Sequence, residues 1–166
     1  MTDTTARTYR FEAVGYDDPR AVHLRELMDE DMAVRYATRD RDSSVNDEIT
    51  RVLAVHPSSV LATILVVDDD DAPIGHALLR DLDGEWEVKR VIVAGGHRAR
   101  GIGRALMTEL ERLARQGGVR RLILQTGDRQ PEAVALYKRL GYTPIPIYEP
   151  YVASMPFSLC YEKILG

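Results

Sequence analysis

The sequence feature with the clearest chemistry is a glycine-rich stretch with three arginines, Arg98-Ala99-Arg100-Gly101-Ile102-Gly103-Arg104. It follows an apolar run that ends at Val93, and a helical pattern begins near Ile102. A strand, a glycine turn and a helix in this order direct backbone N–H groups toward one point, where they can bind a phosphate. The arginines add charge-assisted hydrogen bonds. The stretch therefore predicts a site for a ligand that contains a pyrophosphate.

Two common glycine-rich phosphate loops do not fit this stretch. A dinucleotide-binding fingerprint requires a small residue three positions after Gly103, where this chain has Leu106. It also requires an acidic residue about 20 residues further on, near Gln125. The P-loop requires Lys and then Ser or Thr after its second glycine, but Ile102 follows Gly101. A different phosphate ligand is therefore expected.

The elements around this stretch form a strand–helix–strand–helix series. Glu85–Val93 predicts one strand and Arg121–Thr126 the next. The helix between them is predicted from apolar residues at helical spacing: Ile102, Leu106, Leu110 and Leu113. Pro131 predicts the start of a further helix and Gly141 its end. Since a strand–helix–strand unit normally joins parallel neighbours, these two strands are expected to pair in parallel.

The remaining segments predict further strands and two N-terminal helices. Asp18 before Pro19 is typical of a helix N-terminus, with Asp18 as the capping residue. Further strands are predicted at residues 9–14, 60–67 and 74–79, and a last strand ends at Leu165. Together these elements predict an α/β domain with a mixed sheet.

Three segments, in this order, resemble the GNAT superfamily of acyl-CoA-dependent N-acetyltransferases. The spacing Arg98-x-x-Gly101-x-Gly103 is similar to the acyl-CoA pyrophosphate loop of that family. Residues 87–93 look like its fourth strand, and residues 133–142 look like its Ala-x-x-Leu-Tyr-x-x-x-Gly-aromatic segment. The resemblance implies one domain over residues 1–166, with a mixed, mostly antiparallel sheet whose central parallel strand pair is flanked by helices.

The same resemblance implies that acetyl-CoA is the co-substrate. Its pyrophosphate would bind at residues 98–104, and its pantetheine arm would form strand-like hydrogen bonds with the backbone of Val91, Ile92 and Val93. Many family members carry Asn three residues before the alanine that matches Ala133, where this chain has Gln130. Glutamine keeps the amide that would contact the pantetheine but moves it by one methylene.

Acetyl transfer to an amine requires a base and an acid. An alkylamine with a pKa of about 10.4 is almost entirely protonated at neutral pH, so it must lose a proton before it attacks the thioester. The departing thiolate is better stabilised when a hydrogen-bond donor lies near the sulfur. Backbone N–H groups can polarise the thioester carbonyl.

The resemblance offers a residue for each of these two roles. Glu87 lies eleven residues before Arg98, the spacing at which some family members, notably histone acetyltransferases, carry a catalytic glutamate. Glu87 is therefore the candidate base, directly or through a water, and Glu85 on the same side of the strand is its rival. Tyr137 stands where a residue often faces the CoA sulfur, so it is the candidate acid. Its phenol, with a pKa of about 10, is protonated at neutral pH.

The acetyl acceptor is not identified by these motifs. In this superfamily the acceptor site is usually formed by the N-terminal helices and a late loop, here residues 19–53 and 145–155. These segments carry carboxylates and tyrosines that suit a cationic amine, and an arginine that suits an acceptor carboxylate: Glu26, Asp29, Glu30, Asp31, Arg35, Tyr36, Tyr148, Glu149 and Tyr151. The leading hypothesis is an amine of a small molecule or peptide. Protein lysine or N-terminal acetylation, and a non-catalytic acyl-CoA-binding regulatory module, are the alternatives.

The composition of the chain argues against several other classes of protein. A net charge of −4 on 166 residues does not suit a nucleic-acid-binding protein. The single cysteine, Cys160, rules out an intrachain disulfide, and a transmembrane run of about 20 apolar residues is missing. We therefore expect a cytoplasmic protein with neither nucleic-acid nor membrane partners. An edge-like C-terminal strand would support a homodimer.

Overall fold

The computed structural model describes residues 8–37, 43–98 and 100–166, which form a seven-stranded sheet with helices on both faces. The strands are β1 Tyr9–Val14, β2 Val60–Asp68, β3 Pro73–Leu82, β4 Glu85–Val93, β5 Arg121–Thr126, β6 Thr143–Ile145 and β7 Leu159–Ile164. The helices are α1 Pro19–Arg35, α2 Ser43–Leu53, α3 Ile102–Gln116 and α4 Pro131–Arg139. Short 3₁₀ turns occupy Pro57–Ser59 and Gly95–His97.

The strand order confirms the predicted sheet. The order is β1-β2-β3-β4-β5-β7-β6, and the described pairs are antiparallel except for the central pair of β4 and β5. Helix α3 connects these two parallel strands, as the strand–helix–strand pattern predicts.

Local signals in the sequence set the ends of the helices. The Asp18 side chain accepts a hydrogen bond of 2.9 Å from the backbone N–H of Arg20, and Pro19 occupies the first helical position. Helix α4 likewise begins at Pro131, directly after Gln130. None of the helices in the described ranges is long and apolar enough to cross a membrane.

Successive side chains along a strand point to opposite faces of the sheet, and here both faces carry apolar side chains. Ile64 and Val66 of β2 point to one face, where they pack in a core with the apolar residues of α3. Leu65 and Val67 point to the other face, where they pack against α1. The sheet is therefore covered on both sides, and polar side chains on its inner strands lie buried.

Strand β4 contains a bulge that separates it from β5. His76 pairs with Ile92 and Leu78 with Lys89, so one residue of β3 lies opposite two residues of β4. Arg90, at the bulge, has a φ of 57°, in the left-handed region. The parallel pairing with β5 runs from Trp86 to Val88. Beyond Val88 the two strands diverge, and a wedge opens between them.

The C-terminal strand does not lie at an edge of the sheet. β7 pairs with β5 on one side and with β6 on the other, so the expectation of an edge-like C-terminal strand is wrong. The edge is the three-residue β6, which contains Pro144. A proline suits this position because it has no N–H to donate to a further strand.

Candidate active site

A cleft of about 670 Å³ lies at the open end of the wedge, between α1, the end of β4, the start of α3 and one face of α4. It brings together ten residues that the sequence analysis assigns to the co-substrate or to catalysis: Val91, Ile92, Val93, Arg98, Gly101, Ile102, Gly103, Arg104, Gln130 and Tyr137. The cleft has a volume typical of ligand sites in proteins. The first and last of these residues, Val91 and Tyr137, are 46 positions apart in sequence (137 − 91), and the sheet and two helices bring them to one cleft.

The start of α3 has the geometry expected of the predicted anion site. Gly101 caps the helix with a φ of 77°, a conformation that disfavours any residue with a Cβ. The first backbone N–H groups of a helix have no acceptor within the helix, so those that follow Gly101 face the cleft as donors. Arg98 and Arg104 line the same wall. The arrangement suits a pyrophosphate.

Arg100 does not line this cleft. Its guanidinium contacts Nδ1 of His97 at 2.7 Å and donates to the hydroxyl of Thr8 at 3.1 Å. Its side chain therefore ties the loop to the chain before β1. The predicted role of Arg100 at the co-substrate stays untested, and Ala99 lies outside the described residues.

Gly101 and Gly103 are suited to glycine for different physical reasons. A Cβ at Gly101 would meet no described atom within 4 Å, and only its backbone conformation requires glycine. A Cβ at Gly103 would lie 3.0 Å from Cδ2 of Leu136, so this glycine allows α3 and α4 to pack closely. This helix contact joins positions 33 residues apart (136 − 103), so no local pattern points to it.

We expect Gly101→Ala to lower the free energy of unfolding by about 1–2 kcal/mol, because alanine resists the left-handed conformation. Binding of CoA should weaken as well, since the helix N–H groups would shift. Denaturant unfolding and calorimetry with CoA measure the two effects. The matched control is Gly96→Ala, whose Cβ would also meet no described atom within 4 Å and whose φ is not positive. Equal unfolding midpoints for the two variants would contradict the conclusion that the left-handed conformation at Gly101 requires glycine.

The end of β4 offers a free backbone edge to the cleft. Ile92 and Val93 pair with β3 on one side, and the described pairing with β5 on the other side ends at Val88. Backbone groups on that side, next to Val91, can therefore accept an added extended chain. This geometry suits the amides of a pantetheine arm.

Tyr137 projects from α4 into the cleft. Its ring packs edge-on against Tyr142 at 6.0 Å, and in a tilted arrangement against Tyr161 at 6.5 Å, between ring centroids. Burial raises the pKa of the Tyr137 phenol above its ordinary value. No hydrogen bond to its hydroxyl is present within the described part of the chain. The hydroxyl is therefore protonated over the neutral range and able to donate to a group in the cleft.

Gln130 lies at the N-terminal end of α4 and lines the cleft. It therefore lies on the wall formed by the start of α4. Its predicted contact with pantetheine stays a prediction.

Glu87 lies in a different place, in a buried network on the α1 side of the sheet. It is fully buried, and one carboxylate oxygen accepts a hydrogen bond from Nε of Arg80 at 2.7 Å. The other oxygen accepts hydrogen bonds from the hydroxyls of Tyr148 at 2.5 Å and Tyr151 at 2.9 Å. Burial, and then the nearby carboxylate, raise the pKa of both phenols, so they remain donors to Glu87.

The structure thus does not bring Glu87 and Tyr137 together in one cleft. Glu87 does not line the cleft. It precedes Val91 by four residues, which corresponds to roughly 13 Å along a strand. A proton from an amine in the cleft would reach Glu87 only through a water or a tyrosine hydroxyl. Its rival Glu85 is further away and pairs with Arg121 at 3.2 Å.

The acceptor residues predicted from the sequence are largely engaged with the protein itself. Arg35 pairs with Asp31 at 3.1 Å and with Glu132, and it donates to the carbonyl of Arg129 at 3.2 Å. Its guanidinium therefore joins α1 to α4 across the cleft. It already has carboxylate partners within the protein, and its predicted contact with an acceptor carboxylate stays a prediction. Other positions are placed as follows: Asp29 pairs with Arg90, the hydroxyl of Tyr36 accepts from the N–H of Arg129, and Glu26, Glu30 and Glu149 are exposed.

Sequence reasoning missed the partners of Glu87. Lys89 is buried beside the network, and its Nζ donates to the hydroxyl of Tyr151 at 2.9 Å. Burial lowers the pKa of Lys89 to about 8, although the carboxylate of Glu87 opposes this shift. The available signal was the alternation of Glu87 and Lys89 with the apolar Trp86 and Val88, which puts both charged residues on one face of the strand.

A second missed cluster surrounds His76 on β3. Its ring is fully buried, with Nδ1 2.8 Å from the carbonyl oxygen of Arg90 and Nε2 2.9 Å from Nη1 of Arg25. Burial, together with the positive charges of Arg25 and Arg90, lowers the pKa of His76 to about 4, although the hydrogen bond to the Arg90 carbonyl opposes this shift. His76 is therefore neutral at neutral pH.

This pKa predicts a stability change in mild acid. The pKa of His76 is about 4 in the folded protein and about 6.5 in the unfolded chain, so between these pH values the unfolded chain binds more protons. The free energy of unfolding should therefore fall as the pH falls from about 6.5 to 4, by up to about 3 kcal/mol from this group. Denaturant unfolding at several pH values measures it. His76→Asn, which does not titrate in this range, should show a smaller slope, and equal slopes would contradict the prediction.

Comparison with known proteins gives one family. A model of the acetyltransferase (GNAT) family matches residues 21–142. The uncharacterized N-acetyltransferase YjcF of Bacillus subtilis (strain 168) is 37% identical over 78 residues, 47% of this chain and 54% of YjcF. The IAA acetyltransferase of Azospirillum brasilense is 38% identical over 90 residues, 54% of this chain and 58% of that protein. The chain spans about half the length of the curated relatives it matches.

Solved structures show the same fold over almost the whole chain. A Klebsiella pneumoniae protein assigned as an acyl-CoA N-acyltransferase superimposes with a TM-score of 0.76 at 26% identity, over 95% of this chain and 98% of that one. A GNAT family acetyltransferase from Elizabethkingia anophelis with acetyl-CoA bound gives a TM-score of 0.66 at 16% identity, over 96% and 99% of the two chains. The second likeness concerns the fold alone.

Proposed function

Because the chain belongs to the acetyltransferase (GNAT) family, we propose that it transfers an acetyl group from acetyl-CoA to a primary amine of a small molecule or peptide. One observation carries this proposal. A single cleft combines the N-terminus of α3, the free edge of β4 beside Val91 and the hydroxyl of Tyr137. These are an anion site, a site for an extended amide chain and a proton donor.

In the proposed binding mode, each of these features takes one part of acetyl-CoA. The helix N-terminus, with Arg98 and Arg104, binds the pyrophosphate. The end of β4 pairs with the pantetheine amides, and Gln130 approaches the same arm. The thioester then lies within the wedge, close to Tyr137. Binding in this direction leaves the thioester carbonyl open to an amine from the α1 side.

Tyr137 acts on the leaving group. As the amine nitrogen bonds to the carbonyl carbon, the carbon–sulfur bond breaks and negative charge collects on the sulfur. The Tyr137 hydroxyl donates its proton to this sulfur, which makes CoA thiol the product. Burial keeps the phenol protonated until that moment, because it raises the pKa of Tyr137.

The acceptor amine must lose its proton to a base. Glu87 is the proposed base, and its carboxylate is reached through the hydroxyl of Tyr148 or through a water, since both of its oxygens already accept hydrogen bonds. The wall of the cleft formed by α1 carries Asp31, and α4 carries Glu132. Arg35 pairs with both carboxylates, so they do not by themselves select a cationic acceptor.

The test is an acetylation screen. Acetyl-CoA is offered with small amines, amino acids and short peptides, and release of CoA thiol is measured with mass spectrometry of the acetylated product. We expect turnover above the background hydrolysis with at least one small or peptide amine. Turnover with protein lysines alone would show that the acceptor is a protein and would contradict the proposed small-molecule or peptide acceptor. CoA binding with only background release across the panel and a cell lysate would indicate a non-catalytic acyl-CoA-binding module.

A further inference from the structure

The bulge in β4 has an unusual residue at its left-handed position. Arg90 has a φ of 57°, a conformation in which a bulge of this kind normally has glycine. A residue with a long side chain adopts it only when neighbouring groups hold it there. The local sequence therefore does not explain the bulge, and a tertiary contact must stabilise it.

His76 provides this contact through a specific hydrogen bond. The carbonyl oxygen of Arg90 can only accept, so Nδ1 of His76, at 2.8 Å, must carry the proton. The guanidinium of Arg25 can only donate, so Nε2, at 2.9 Å, must be the acceptor. Both contacts are satisfied by one state of the ring, the neutral tautomer with its proton on Nδ1.

Arg25 is itself held in place from the other side. It is buried, its guanidinium lies 3.9 Å from the centroid of the Tyr16 ring, and it donates to the Tyr16 carbonyl. Tyr16 precedes α1, so the loop between β1 and α1 fixes Arg25, Arg25 orients His76, and His76 holds the carbonyl of Arg90. This chain of contacts runs entirely on the covered α1 face of the sheet.

The bulge determines which backbone groups reach the cleft. It inserts one residue before Val91, so Val91 and Val93 lie on the same face as Trp86 and Val88, in the core that contains α3. The bulge also lies where β4 leaves β5. Without the bulge, continued pairing with β5 would close the wedge, and the residues after Val88 would present the opposite faces.

We propose that His76 is a positioning residue for the co-substrate: its Nδ1–H holds the Arg90 carbonyl, and this hydrogen bond keeps the end of β4 open to the pantetheine arm of acetyl-CoA. His76 is fully buried and does not line the cleft, so it acts only through Arg90. The inference rests on the proposed function, because acetyl-CoA is the ligand that uses the open strand.

Two substitutions of His76 distinguish its hydrogen bond to the Arg90 carbonyl from its contribution to packing. Asparagine places its amide near the position of Nδ1 and can still donate to the Arg90 carbonyl, but it loses the contact with Arg25. Glutamine places its amide near the position of Nε2, where its oxygen can accept from Arg25, but it leaves the Arg90 carbonyl without a donor. Both remove the imidazole ring, so both should lower the unfolding midpoint.

CoA binding is measured by calorimetry for the wild type, His76→Asn and His76→Gln. We expect His76→Gln to bind CoA about 10-fold more weakly than His76→Asn, because only the former leaves the carbonyl unsatisfied and the bulge unsupported. Amide hydrogen exchange of residues 90–93 without CoA should be faster in His76→Gln than in His76→Asn. Equal affinities and equal exchange in the two variants would overturn the proposal.

A rescue experiment tests the route through the bulge. Glycine adopts the left-handed conformation without strain, so Arg90→Gly should restore part of the CoA affinity when combined with His76→Gln. If the double variant binds CoA as weakly as His76→Gln alone, His76 does not act through the bulge and the proposal is wrong. A wild-type protein that fails to bind CoA would instead refute the proposed function, whereas the exchange data would still report on the bulge.

Discussion

Replacement of Tyr137 by phenylalanine is expected to lower kcat about 100-fold or more, the effect of losing a general acid. The dissociation constant of CoA should change by less than about twofold, because the described residues make no hydrogen bond to this hydroxyl and the ring contacts with Tyr142 and Tyr161 remain. Because burial raises the pKa of Tyr137, the wild-type activity should show no alkaline decline near the usual phenol pKa of about 10. Steady-state kinetics over a pH series, with CoA binding by calorimetry, provide the measurement.

The chain offers a closely matched control for this variant. Tyr142 is also a buried tyrosine, its ring packs on Tyr137, and its hydroxyl has no hydrogen-bond partner among the described residues. It does not line the cleft. Tyr142→Phe should therefore leave kcat unchanged. If the two variants lose activity equally, packing of the aromatic cluster is responsible, and Tyr137 is not the acid.

Removal of the Glu87 carboxylate is expected to destabilise the fold strongly. Glu87→Ala should lower the free energy of unfolding by about 3–5 kcal/mol, because Arg80 would remain buried without its carboxylate partner. The hydroxyls of Tyr148 and Tyr151 would also lose their acceptor. Denaturant unfolding gives the value. The control is Glu162→Ala, which removes an ion pair of the same 2.7 Å length with the partly exposed Arg121 and should cost less than about 1 kcal/mol.

A second substitution of Glu87 distinguishes a catalytic base from a carboxylate with only a structural role. Glu87→Gln keeps the size of the side chain and an acceptor oxygen but can no longer take up a proton. If Glu87 is the base, the rate should fall most at low pH, where the free amine is scarce. A pH–rate profile with the shape of the wild type, lowered by a constant factor, would show that Glu87 only holds Tyr148 and Tyr151 in place.

Local patterns were enough to predict most of the fold. Asp18 before Pro19, and Pro131 after Gln130, set helix starts because capping involves only adjacent residues. The strand Glu85–Val93 and the stripe that begins at Ile102 follow from periodicity, which is also local. The position of β7 could not be found in this way, since strand order depends on pairing between distant segments.

The candidate site was predictable only in part, for the same reason. Gly101 and Tyr137 line one cleft, and both belong to segments with their own sequence signature, so they could be picked out as candidates, and their roles stay predictions. The partners of Glu87 lie 61 and 64 residues further along the chain at Tyr148 and Tyr151, where no local pattern points to them. The same applies to the contact between His76 and Arg90 across the two strands.

The sequence by itself determined the parts of this protein that short segments specify: a glycine-capped helix behind an arginine-rich turn, a strand before it and a tyrosine on a later helix. The tertiary structure decided the contacts and the protonation states of the polar side chains. Contacts with residues elsewhere in the chain hold Arg100 and Arg35 toward the protein, whereas packing on the covered face encloses Glu87 and sets the state of His76. These outcomes depend on burial and on contacts between distant residues, because an ionic or polar group is stable in the interior only where the fold supplies its partner.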